Sequence, residues 1–82
     1  MNHKQYAEII AKQIDDSFTN DEIYELLNEA VDTLKSKGYP DYEIEEFAEI
    51  VEGQINIQTM KNKNKAKAIL KKVKNERVKI KG

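Results

Sequence analysis

Two short signals, Thr19-Asn20-Asp21-Glu22 and Gly38-Tyr39-Pro40, bracket the stretch of this chain whose conformation is most constrained. Thr followed three residues later by Glu is a capping box: the hydroxyl accepts from an exposed first-turn amide, and the carboxylate reaches back to the amide of the cap. Phe18, directly ahead of the box, is placed to staple onto Ile23. At the other end Lys35 and Lys37 favour the negative pole of the dipole, Gly38 supplies a left-handed residue, and Pro40 prevents continuation. Between the two signals Ile23, Leu26, Leu27, Ala30, Val31 and Leu34 form one apolar stripe. The stretch between Thr19 and Gly38 is therefore an amphipathic helix, and Leu27, in mid-stripe, is expected to be buried against the helices before and after it.

The remaining pattern extends this reading. Tyr6, Ile9, Ile10 and Ile14 predict a helix over about residues 3–15, with Asn2 as its cap. Asp15-Asp16 is a poor last turn, because carboxylates oppose the dipole there. From Pro40-Asp41 onward, Ile44, Phe47, Ala48, Val51 and Ile55 share one arc and predict a third helix to about residue 60. Gly53 allows a break in it, and Ile55-Asn56-Ile57-Gln58 alternates in a way that also fits a short strand. Ile50 and Ile57 lie off the main arc and widen the apolar face. Lys61-Asn62-Lys63-Asn64-Lys65 reads as a solvated linker; beyond it, Ala66, Ile69, Leu70, Val73 and Ile80 recur at helical spacing. The expected fold is all-α: a small bundle of three core helices plus a basic amphipathic C-terminal helix, docked or projecting. Short connections make sequential helices roughly antiparallel.

Charge divides the chain into two segments. Residues 1–60 hold 4 Lys against 14 Asp or Glu, and residues 61–82 hold 9 Lys and Arg77 against Glu76 alone. The net charge of −1 thus conceals an acidic helical bundle over 1–60 and a basic segment over 61–82. Asymmetry of this kind concerns partners, through steering and patch complementarity. In the basic segment Lys65, Lys67, Lys71, Lys72, Lys74 and Arg77 are the candidate phosphate ligands. With one Arg and no aromatic residue after Tyr42, the segment lacks both the bidentate reader of guanine and a stacking platform. Binding to nucleic acid would be phosphate-level, salt-sensitive and nearly indifferent to sequence. A protein interface is the other expectation, formed by Glu43, Glu46 and Glu49 with Ile50, Ile57, Ile69, Leu70 and Val73. It would serve a homodimer or a basic partner.

The chemistry classes narrow further. Cysteine is absent, so there are no disulfides or thiolate sites, and a reducing cytoplasm is the expected setting. His3 is the single histidine, near an end expected to fray, so no histidine-based metal site or acid–base pair can be assembled. Asp15 to Leu26 mimics calcium-loop offsets, but Asn20 replaces the turn glycine and Leu26 stands where the bidentate Glu belongs. No glycine-rich phosphate loop, membrane-length apolar run or signal-peptide core is present. No cofactor and no enzymatic activity are expected. Thirteen Lys to one Arg, with many Ile and Asn, suggests AT-rich coding DNA of bacterial or phage type. The reading is a non-enzymatic binding protein of phage or mobile-element origin, engaging nucleic acid or a nucleoprotein machine. The alternative is a protein-only inhibitor, adaptor or scaffold that uses its acidic face.

Overall fold

The computed structural model describes residues 2–78, so Ile80 of the predicted tail stripe lies outside the described residues. Four helices follow one another: α1 (His3–Gln13), α2 (Asn20–Ser36), α3 (Asp41–Ile57) and α4 (Lys63–Arg77). Their boundaries follow from local chemistry. Asn2 caps α1 in a full capping box, because Gln5 reaches back to the Asn2 amide. Thr19 and Glu22 form the reciprocal box that opens α2. At its far end Gly38 takes φ +87°. The Gly38 amide donates to the Lys35 carbonyl and the Tyr39 amide to that of Leu34, which is a Schellman closure. Gly53 breaks nothing: α3 is continuous to Ile57, and the strand alternative for 55–58 is not adopted. The linker expected over 61–65 is shorter, because α4 already begins at Lys63.

The helices form two antiparallel hairpins, α1–α2 and α3–α4, laid side by side. Contacts between them rise together along both partners. His3 meets Glu46, Tyr6 stacks on Phe47, and Gln58 donates to the Ala11 carbonyl, so α1 runs parallel to α3. Tyr24 meets Glu76 and Asn28 meets Arg77, so α2 runs parallel to α4. The order around the core is α1, α3, α4, α2, with α1 on α3 and α2 on α4 the most extensive pairings. Consecutive α2 and α3, joined by the Gly38–Pro40 turn, are therefore not principal partners.

One core joins all four helices. Leu27, Phe47, Val51, Ile55, Leu70 and Val73 are all buried within it, so α4 is docked as a structural member of the bundle. In α1 the rotation differs from the apolar pattern. Ala7 and Ala11 are fully buried, whereas Ile9 remains 40% exposed. Small side chains on the buried side let neighbouring backbones approach closely, and that favours alanine over isoleucine in the seam. Among the described residues, no helix is long and apolar enough to cross a membrane.

Candidate functional site

Because α4 buries Ala66, Leu70 and Val73, its cations fall on two flanks and an outer strip. On the flank toward α3, the Lys74 ammonium stands 4.0 Å from Glu49. Lys63 donates to the Asn56 carbonyl at 3.1 Å. Lys71 and Lys74 line a shallow cleft with Glu49 and Glu52, so the seam between these helices alternates in charge. On the flank toward α2, Arg77 donates to Asn28 Oδ1 at 2.9 Å and pairs with Asp32. The Lys72 ammonium sits 5.1 Å from the centroid of the Tyr24 ring, within cation–π range. The Tyr24 hydroxyl in turn donates to Glu76 at 2.6 Å.

The six candidate phosphate ligands thus divide into two groups. Lys72, Lys74 and Arg77 are engaged by their own chain. Lys65, Lys67 and Lys71 have no acidic group within ion-pair distance among the described residues, and Lys65 and Lys71 are exposed. Lys61, exposed at the start of the same strip, was not among the residues selected from the sequence. Toward solvent the strip carries Asn64, Ala68 and Asn75, all exposed, between lysines on both sides.

The expected protein interface is also divided. Leu70 and Val73 are buried in the core of their own chain, 3% and 1% exposed, and Ile69 is half-buried against it. These residues serve α4 docking and are not free to form a seam with another molecule. Ile50 is half-buried, and Ile57 stands 76% exposed. Glu49 faces Lys74. Glu43 and Glu46 converge instead on His3, at 3.9 and 2.6 Å.

His3 corrects the expectation of a frayed end. Its side chain is only 13% exposed, edge-on to Tyr39 and wedged against α3. Its hydrogen bond holds the Glu46 carboxyl below the ordinary carboxylate range, against the opposing effect of desolvation and with lesser help from the charges of Lys4 and His3. Asp15 is lowered in the same direction by the side-chain and backbone donors of Ser17. Asp16, which in the sequence marks only an unfavourable last turn for α1, accepts the Lys61 amide at 2.6 Å and the Asn62 amide at 3.4 Å. It places a carboxylate at the positive end of α4, which has no side-chain cap of its own.

No known protein family, no curated protein and no solved structure matches this chain.

Proposed function

We propose that this is a non-enzymatic binding protein of the cytoplasm that engages a phosphate backbone through the outer strip of α4. The observation that carries the reading is the division of the tail's cations. The apolar side of α4 is committed to the core, while Lys65, Lys67 and Lys71 have no acidic partner among the described residues. Such ammonium groups gain by neutralising phosphates and releasing counterions. The strip is one helix wide and has acidic helices on either side, which restricts it to few simultaneous contacts. Affinity is accordingly modest and sequence preference small. A fluorescence titration with generic duplex DNA and RNA across a salt series tests this. With three to four contacts, the log–log slope has a magnitude of about 3, and each Lys→Gln change among Lys65, Lys67 and Lys71 lowers it by about 0.9. Absence of binding at low salt, or strong discrimination between equal-length sequences, overturns the proposal.

A second reading is supported by α2. Asp21, Glu25 and Glu29 are exposed, with no cation within ion-pair distance among the described residues. They offer negative charge at helical spacing to a basic protein. In that case binding to nucleic acid is absent, and charge reversal on α2, not α4, abolishes capture of the partner.

A further inference from the structure

The lysines of α4 straddle a ridge of short side chains. Ala66, Leu70 and Val73 turn one side of the helix into the core. At about 100° per residue, Asn64, Ala68 and Asn75 fall on the opposite side, and all three are exposed. The same rotation puts Lys67 and Lys71 on the flank toward α3, and Lys65 and Lys72 on the flank toward α2. Contacts agree with this division. Lys63 and Lys74, on the first flank, meet Asn56 and Glu49 of α3, while Lys72 on the second lies over the Tyr24 ring of α2. No acidic residue interrupts the chain from Lys61 to Asn75, and Glu76, the one acid of α4, accepts from the Tyr24 hydroxyl. On the neighbouring helices Glu49 faces Lys74 and Asp32 pairs with Arg77, so part of the acid beside α4 is already neutralised.

Resting on the phosphate reading, we infer that the nucleic acid is B-form duplex DNA and that α4 enters its major groove ridge first. Charge complementarity selects a polyanion, and shape selects its form. A helix with its side chains is about 10–12 Å across, and the B-form major groove is about 12 Å wide. Short side chains at Asn64, Ala68 and Asn75 let the helix settle toward the groove floor. Lysines on its two flanks then reach the phosphates of the two strands, Lys65 on one side and Lys67 and Lys71 on the other. On each flank these ammonium groups stand between the phosphates and the acidic helix behind them. Duplex RNA offers no such seat, because its major groove is deep and too narrow to read. A single strand favours aromatic stacking platforms, and no aromatic residue follows Tyr42. Because both strands are held through phosphates, the discrimination is between duplex forms and not between sequences.

Competition titrations of the full chain at low salt, with DNA and RNA duplexes of equal length and matched sequence, read this directly. The DNA duplex is expected to bind several-fold more tightly. Its log–log salt slope should exceed that of the RNA duplex by about 0.9 for each lysine that the RNA leaves without a phosphate. The same DNA carrying bulky groups at pyrimidine C5, which project into the major groove, should bind several-fold more weakly. Ala68→Leu changes no charge and sits at an exposed position, so the helical circular dichroism spectrum should be unchanged. It should nevertheless weaken DNA binding several-fold, by lifting the ridge from the groove floor, and leave RNA binding as it was. Absence of binding to every polymer at low salt overturns the phosphate reading and the groove together. RNA bound as tightly as DNA, or DNA binding indifferent to the C5 groups or to Ala68→Leu, overturns the groove alone and leaves the phosphate reading standing.

Discussion

Helices α2 and α4 bury similar stripes and run side by side, yet they obtain their ends in opposite ways. In α2 the groups that close the helix lie within it or directly beside it: Thr19 and Glu22 at the start, Gly38 and Tyr39 at the finish. In α4 neither end has a side-chain cap of its own. Asp16 takes the amides ahead of its first turn, and Lys35 donates to the Arg77 carbonyl at 2.9 Å. A helix with local caps can form before it docks; one whose ends are satisfied by other helices forms as it docks. The difference extends to charge. Cations that look free in a linear reading of α4 are partly used to hold α4 down, and only the remainder is available to a partner.

The strongest test of this comparison is a matched pair of core truncations. Leu27→Ala and Leu70→Ala remove equally buried side chains, 1% and 3% exposed, from the two helices. Each is expected to cost roughly 2–5 kcal/mol in chemical denaturation. A much smaller loss for Leu70→Ala would mean that α4 rests loosely on a three-helix core. The caps make a finer contrast. Thr19→Ala should cost about 1 kcal/mol at any ionic strength, since it removes a local hydrogen bond. Asp16→Ala should cost somewhat less and should lose much of its effect in high salt, because part of the interaction is charge against the α4 dipole. Equal salt sensitivity of the two variants would erase the distinction.

The smallest expected effect concerns acid. Glu46 and Asp15 both have folded-state pKa values below their ordinary ones, so each contributes stability at neutral pH. That contribution is present above the ordinary values, near 4, and is lost as pH falls through the lowered ones. A His3→Gln variant, which weakens the main cause of the Glu46 shift, should show a shallower fall in stability below about pH 4 than wild type. An identical acid limb in the two proteins would remove His3 from any role in holding α1 to α3.

Much of the fold was legible because helix formation is decided within a few residues. The caps at Asn2 and Thr19, the stop at Gly38 and the stripes of α2 and α3 all depend on groups no more than five positions apart. The start of α4 was less legible: Lys63-Asn64-Lys65 has no apolar residue to signal a helix, and it becomes helical because Ala66 onward docks while Asp16 meets the preceding amides. The site followed the same rule. The basic character of the tail was plain, but which cations remain free was not, since Lys72, Lys74 and Arg77 find Tyr24, Glu49 and Asp32 only after the hairpins pack. Leu70 and Val73 read equally well as core or interface until α4 had a place, because apolar spacing marks a buried face without naming what buries it.

By itself, then, the amino-acid sequence determined an all-α chain with its helices, most of their ends and a separation of acidic from basic charge. These properties rest on backbone hydrogen bonds, neighbouring side chains and composition. Tertiary structure alone decided that α1 turns Ala7 and Ala11, not Ile9, into the core, that α2 lies on α4 and not on α3, and that His3 is clamped between Tyr39 and two carboxylates. Those choices compare burial and charge pairing between residues about 40 or more positions apart, such as His3 with Glu46, and no local pattern encodes that comparison.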